Sequence, residues 1–519
     1  MGRYRSNDRY GGKPEPPHLK RAPSSSVNQS EMEEKPDIRV LDAAKALAFI
    51  GDLSMGQPTD HSLRTAWLAA QLATDAGFDQ AQCGIAKHVS LLRWSGCTAN
   101  AAGFAEMVSD DVADREAMLA RRPDSAVAAA VARDAGAGIK GLAHIHCEVS
   151  GEIARMLMLD NETELALRHI FESFDGSGFP DHLAGDAVPP MVFAVSLAGD
   201  LEILSRVYGL DGALERIAKD ARSRYPGELV NLVSTRGRDW HGALDHDVSS
   251  DLDDFLSTDR TQHLTSAELI ADVIDLKLPW MTQYSRRVAT AAAACAERLG
   301  LDAEARRRIY RAGLIHGMGR ASVPNAIWNT AGKLPTSAWE KVRLVPYWTL
   351  RAGRNISALL PEAELASSAY ERVDGSGYFR GLSGASLPIE ARILAAAAAW
   401  TALRSPRPWR PAFSADEAAT RLSEEARAGR FDLDAVRALS EPQNANSPRP
   451  VPRLKPVSLS SRETDVLRHI SSGSSNKEVA RLLDISLSTV RTHVESVFRK
   501  LECSTRAAAT LKASAMGLL

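Results

Sequence analysis

The five residues Asp-Gly-Ser-Gly-Phe at 175–179 return as Asp-Gly-Ser-Gly-Tyr at 374–378, an offset of 199. Without a gap, the same offset pairs Glu172 with Glu371, Leu183 with Leu382, Gly185 with Gly384 and Pro189 with Pro388. One such pentapeptide is weak evidence, but this many matches in one register mark a duplication. The chain is therefore expected to fold as two like units of about 200 residues, packed as a pseudo-dimer. Asp-Gly-x-Gly predicts a tight turn between helices, with glycine supplying positive φ.

Between Ile38 and about Ser440, apolar residues recur at three- and four-residue spacing. LRTAWLAAQLA (63–73), RRVATAAAACAERLG (286–300) and ARILAAAAAWTAL (391–403) are examples. That period predicts helices, which alanine runs favour intrinsically. No hairpin pattern stands out. Residues 1–38 are rich in Arg, Lys, Gly, Pro and Ser and poor in large aliphatics. They read as a disordered basic arm, either a solvated tail or a weak auxiliary contact to DNA phosphates. Four prolines within 448–456 predict a stiff, extended linker. The expected division is an arm (1–38), two helical domains (39–255 and 256–440), a Pro-rich linker (441–457) and a small module (458–519).

A composition of 44% apolar and 25% charged residues is globular, and a net charge of −2 excludes a bulk polyanion binder. Five scattered cysteines without a CxxC pair argue against a disulfide framework or a thiolate zinc site. They fit a reducing cytosol. No apolar run of about 18 residues predicts a membrane span, and the start lacks the apolar stretch of a signal peptide. A cytoplasmic protein without a membrane partner is expected.

The basic region hidden by the near-neutral total lies at the C-terminal end. Residues 458–519 carry nine Lys and Arg against six Asp and Glu. Ser460 or Ser461 predicts the cap of a first helix ending at Gly473, and Ser475 or Asn476 the cap of a second. A third helix starts near Ser488, with Val490, Val494, Val497 and Leu501 inward and polar and basic residues outward. A fourth spans about 505–516. A helix pair of this kind presents its second member to the major groove. SSRETDVL, GSSNKEVARLL and ISLSTVRTHVESVFRKL resemble the DNA-binding domain of LuxR-type transcription regulators. The resemblance implies a four-helix domain that binds double-stranded DNA as a homodimer through its fourth helix, with RNA polymerase as a further partner. Carried over by position, Lys477 and Ser488 touch phosphates, Thr489, Arg491, Thr492 and His493 reach the groove, and Lys500 meets the flanking backbone.

The repeated unit carries a second resemblance. ERVDGSGYFRGLSGASLPIEARILAAA (371–397), FESFDGSGFPDHLAGDAVP (171–189) and RAGLIHGMGRASVPNAIW (311–328) are similar to the HD-GYP branch of the HD-domain phosphohydrolases. The fold class implied is all-α: two tandem HD-GYP-like helical domains followed by the LuxR-type head. Members bind two or three metal ions in a helical bundle, and many hydrolyse cyclic di-GMP. In the first half His61 and His146 match ligand positions. The His-Asp pair falls at Arg93 and Trp94, the His-His pair at Ile170 and Phe171, and the later Asp near Gly199, with His169 and Asp200 one place off. In the second half Tyr284, Val345, Ala369, Tyr370 and Ala398 replace ligands, and the His-Asp pair is His316 and Gly317. Neither half is expected to hold a dinuclear centre. The expectation is accordingly no enzyme, no catalytic residues, no metal and no cofactor. His61, Arg93, His146 and His316 are grouped as a candidate ligand cleft, in which Arg93 would bind a phosphate or carboxylate. The body would sense a nucleotide or other small-molecule effector, or dimerise. The alternatives are a metal-dependent cyclic-dinucleotide phosphodiesterase with a DNA-binding head, and a pure dimerisation scaffold.

Overall fold

Each alanine-rich stretch singled out by its spacing is a helix. The computed structural model describes residues 37–122, 137–247, 252–441 and 457–519. The principal helices of the first half are α1 (Val40–Ser54), α2 (His61–Asp75), α3 (Gln80–Leu92), α4 (Ala137–Met156), α5 (Asn161–Arg168), α6 (Pro190–Ala218) and α7 (Gly227–Asp247). Those of the second are α8 (Glu268–Asp275), α9 (Tyr284–Arg298), α10 (Ala303–Ile315), α11 (Val345–Asn355), α12 (Ile389–Leu403), α13 (Ala415–Arg427) and α14 (Leu433–Ser440). α1 is buried along its whole length, and the charges it buries are partnered, Asp42 by Arg39 at 2.9 Å and Lys45 by Asp253 at 2.5 Å. It lies between α3 of the first half and α8 of the second.

The expected arm and linker fall outside the described residues, apart from their edges. At one edge the expectation is corrected: Asp37 and Ile38 are not part of a disordered arm. They form β1 (Asp37–Arg39), antiparallel to β2 (Leu264–Ser266) in the second half. The pairing joins distant segments, which a search for hairpins cannot find.

The DGSG turns repeat in detail. Gly176 and Gly375 both sit at φ +81°, in the left-handed region that favours glycine. Behind each turn a buried glutamate accepts two backbone N–H groups. Glu172 takes Asp181 and Leu183 at 2.7 and 3.1 Å, and Glu371 takes Arg380 and Leu382 at 2.8 and 3.0 Å.

The front of each half repeats too, at a different offset. Asp52 accepts the N–H and hydroxyl of Ser62 at 3.0 and 2.6 Å, and Asp275 those of Ser285 at 2.7 and 2.8 Å. This pairing, and that of Arg93 with His316 at the ends of α3 and α10, needs an offset of 223. The first half therefore holds 24 more residues than the second between this region and its DGSG turn. Asp111, within that longer segment, is fixed to the second half. It pairs with the fully buried Lys277 at 3.0 Å and accepts the Asn325 N–H at 2.7 Å.

The C-terminal module forms α15 (Ser461–Ser471), α16 (Asn476–Leu483), α17 (Leu487–Leu501) and α18 (Arg506–Ala515). The hydroxyls of Ser460, Ser475, Ser486 and Thr505 cap their N-termini. Val490, Val494, Val497 and Leu501 are buried together with Val466, Leu467 and Ile470. Among the described residues, no helix is long and apolar enough to cross a membrane.

Candidate functional site

His61 opens α2 and is fully buried. Its Nδ1–H donates to the Glu202 carboxylate on α6, and its Nε2 accepts from the Arg93 guanidinium at the end of α3. Burial lowers the His61 pKa, so the ring is neutral, as this pair of contacts requires. Burial alone would raise Glu202, but His61 and Arg206 beside it hold that carboxyl well below the usual range. Arg93 also donates to Thr65 Oγ1 at 3.4 Å and to the Val195 carbonyl at 3.5 Å, and its Cζ lies 4.5 Å from the Trp94 ring centre. Burial lowers its pKa to about 10, which leaves it charged at neutral pH.

The room for this guanidinium comes from Gly199. A Cβ built there would strike Arg93 Nη1 well inside the 3.0 Å that real Cβ atoms keep. The second half reaches the same arrangement from other positions. His316 Nδ1–H donates to the Gly313 carbonyl at 2.6 Å, and its Nε2 accepts from Arg320 at 2.6 Å. A Cβ on Gly317 would lie 2.5 Å from Arg320 Nη1. Arg320 also reaches Asp275 at 3.3 Å and Tyr370 at 3.5 Å, below the Tyr284 ring. In both halves, then, a glycine at an expected carboxylate position admits a buried guanidinium, which takes the histidine lone pair a metal would need. Trp94, Ile170, Phe171, Ala369 and Ala398 complete donor sets that do not fit a dinuclear metal centre.

One other trio of metal-capable side chains lies close among the described residues: His169, Glu172 and Asp181, with ligand atoms within 4.8 Å of one another. Glu172 is already spent on two backbone N–H groups there. Glu371 makes the same clamp without a histidine or aspartate neighbour, which marks the trio as structural.

A cavity of about 430 Å³ opens beside Arg93 in the first half. Its wall carries four guanidinium groups (Arg93, Arg115, Arg121, Arg224) against three carboxylates (Glu172, Asp175, Asp200). Trp94 and Phe171 stack with centroids 6.2 Å apart, and His146 lies 4.7 Å from Phe171. His146 donates Nε2–H to the Arg93 carbonyl at 2.7 Å, and burial pushes its pKa down to about 3. The Arg93 Nε–H finds no partner among the described residues. Asp200 ties the mouth together, accepting from Arg121 and from Tyr225 at 2.5 Å, with Arg224 at 3.6 Å. Asn100, Phe104, Arg115, Met118, Leu119 and Arg121 all come from the first half's longer segment. This is why the cavity belongs to that half.

The proposed cleft of four residues is thus corrected. Arg93 and His146 line one cavity. His61 sits behind Arg93 as its support, and His316 belongs to the second half against Arg320. Sequence reasoning missed Arg115, Arg121 and Arg224. Asp200 was noticed only as a displaced ligand.

In the head, Lys477, Ser488, Thr489, Arg491 and Thr492 are exposed and His493 is half-buried. The outward face of α17 is open to solvent. Lys500 is placed differently: it donates to Glu463 at 2.6 Å, the carboxylate that closes the α15 cap. That contact first, with the Ser460 and Ser496 hydrogen bonds, brings the Glu463 pKa down to about 2. α18 has no free face of its own. Ala509 and Ala513 belong to the head core, while Ala508 and Leu511 join the body core.

Residues 268–434 match the HD domain family, and residues 457–513 match the LuxR family of bacterial regulatory proteins. The chain is 24% identical over 404 residues to 3′3′-cGAMP-specific phosphodiesterase 3 of Vibrio cholerae serotype O1, covering 72% of this chain and 88% of that protein. It is 34% identical over 173 residues to the cyclic di-GMP phosphodiesterase response regulator RpfG of Xanthomonas campestris, with 33% of this chain and 45% of that protein covered. The head is 45% identical over 53 residues to the nitrate/nitrite response regulator protein NarP of Escherichia coli, covering 10% of this chain and 25% of that protein. A crystal structure of a cyclic GMP-AMP specific phosphodiesterase of V. cholerae superposes with a TM-score of 0.56 at 20% identity, over 78% of this chain and 97% of that one. That likeness concerns the fold alone.

The expectation of no enzyme is overturned by these matches. Over most of its length the body aligns with proteins named as cyclic-dinucleotide phosphodiesterases. Counting absent donors weighs one metal arrangement only, and a cavity wall with acids, arginines and a histidine is left out of such a count.

Proposed function

From an HD-type body joined to a LuxR-type head, we propose that the chain is a sequence-specific transcriptional regulator whose body binds a phosphodiester ligand of the cyclic-dinucleotide class. The observation that carries this is the first-half cavity, with four guanidinium groups on its wall beside two stacked aromatic rings. Guanidinium groups suit phosphate oxygens, and aromatic faces suit nucleobases. A volume near 430 Å³ falls in the range of small-molecule sites. The exposed outward face of α17, with Arg491 and Thr492 at its centre, supports base reading by the head. The five free cysteines fit a cytoplasmic setting. A homodimer that recruits RNA polymerase completes the reading by likeness to LuxR-type regulators.

Calorimetric titration of the full chain with 3′3′-cGAMP and cyclic di-GMP tests it. Binding that falls at least about tenfold in Arg93→Met and in Arg224→Ala is the expected result. No binding of either nucleotide, or equal binding in both variants, would sink the assignment. Turnover of the bound diester is the second reading, favoured by the 404-residue match. Chromatography of the same nucleotides after incubation decides it: a linear product appears if the body hydrolyses them.

A further inference from the structure

α4 has two occupied faces. Ile139, Leu142, Ala143 and His146 line the cavity. His144, Glu148 and Glu152 lie roughly 170° away around the helix, at 100° per residue, and meet the head. Glu148 Oε1 accepts the Ser504 N–H at 2.5 Å and its hydroxyl at 3.1 Å, and His144 Nε2 lies 2.8 Å from the same hydroxyl. Glu152, buried, pairs with Lys512 of α18 at 3.2 Å. Lys512 in turn donates to the Leu501 and Glu502 carbonyls at 2.9 and 2.8 Å, which close the C-terminus of the DNA-reading helix α17. A second tie joins Thr282 Oγ1 to the Ser471 carbonyl at 2.6 Å.

We infer that the body holds the head in a docked state through α18, and that α4 links this hold to occupancy of the first-half cavity. The inference rests on that cavity being a ligand site. α4 is one rigid rod between the two contacts. Ligand-driven helix shifts of about 1–2 Å are ordinary, and hydrogen bonds near 3 Å do not survive them. A ligand wedged against His146 and Ala143 thus loosens Glu148 from Ser504 and Glu152 from Lys512. The Ala508–Leu511 face of α18 is then uncovered and free for a second copy of the head. The docked state leaves the outward face of α17 exposed, so the hold governs how two heads are arranged rather than whether one can touch DNA.

Cys503 reports on the hold, because it contributes to both the body and the head cores. Cys503 is half-buried, and burial pushes its thiol up to about 12, so the docked thiol reacts slowly. The test is the rate of iodoacetamide labelling at Cys503 in the full chain, mapped by mass spectrometry with Cys83 as the internal control. Glu152→Gln should raise the Cys503 rate about tenfold at unchanged secondary structure. Saturating 3′3′-cGAMP should do the same in the unsubstituted chain, leaving Cys83 unchanged. Unchanged labelling in Glu152→Gln overturns the hold. Nucleotide binding seen by calorimetry without faster Cys503 labelling overturns the link. If calorimetry shows no binding, the proposed ligand fails, and Ala143→Phe, which fills the cavity from α4 itself, takes its place. Unchanged Cys503 labelling in that variant overturns the link independently.

Discussion

Gly199 and Arg93 make a pair whose coupling can be worked out beforehand. An alanine at 199 puts a methyl group where the Arg93 guanidinium lies. The adjoining cavity of about 430 Å³ lets the side chain swing aside, so the cost is not overpacking. It is the loss of partners: the buried His61 Nε2 is left without its donor, and the Thr65 and Val195 contacts go. An orphaned buried acceptor costs about 1–3 kcal/mol. Replacing glycine by alanine inside α6 returns about 0.5–1 kcal/mol. The net loss is about 1–2 kcal/mol, or a Tm lowered by about 2–8 °C at 2–4 °C per kcal/mol. In an Arg93→Ala background the methyl group meets no guanidinium, and the same substitution becomes neutral or stabilising. Thermal unfolding of the four chains closes the double-mutant cycle, with an expected coupling of about 1–3 kcal/mol. An equal Tm shift from Gly199→Ala in both backgrounds would refute the claim that the glycine exists to admit the arginine.

Arg491→Ala should weaken binding to an operator selected in vitro by about 1–3 kcal/mol in fluorescence anisotropy, and undiminished affinity would move the reading face elsewhere. Affinity of the unsubstituted chain should fall steeply with salt, as phosphate contacts release counterions; a flat dependence contradicts the basic head as a DNA surface. The neutral, buried His146 and His316, both with pKa lowered to about 3, bind protons more readily when unfolded. Their contribution is complete above about pH 6.5 and is lost as pH falls toward 3. Asp52 and Asp275, raised by burial to about 8 and 6, act in the opposite sense. Exchanging both aspartates for asparagine should therefore steepen the acid loss of Tm in scanning calorimetry, and an unchanged slope counts against their protonated burial. In the head, Glu463 at about 2 contributes stability that is present above about pH 4.5 and lost below it. Lys500→Ala should shift that acid transition upward in the circular dichroism of the full chain; no shift would free Lys500 for the phosphate contact.

What could be read from the sequence was whatever leaves a local mark. Ser460 and Ser475 announce their helices because a cap is a short-range hydrogen bond. The DGSG turns announce the duplication because only glycine tolerates φ near +81° there. What could not be read depends on partners far apart in the chain. Gly199 looks like a helix weakness until Arg93 is seen in the space it vacates. Arg320 serves the second half from a position that does not correspond to Arg93, so no register would have paired them. The cavity rests on a 24-residue difference between the halves, whose effect appears only once Arg115 and Arg121 are found on its wall. The stripe His144, Glu148 and Glu152 has the spacing and charge of a solvated helix face, and nothing local distinguishes it from one. Glu148 is half-buried and Glu152 buried because the backbone N–H of Ser504 and the ammonium of Lys512 arrive from the far end of the chain, while His144 stays exposed. A charged stripe opposite a ligand wall is what a helix needs if it is to pass a displacement on. An apolar stripe would tolerate sliding, whereas an ion pair and a 2.5 Å hydrogen bond register it. The same polarity that disguised α4 as surface is therefore the property that equips it to couple the cavity to the head.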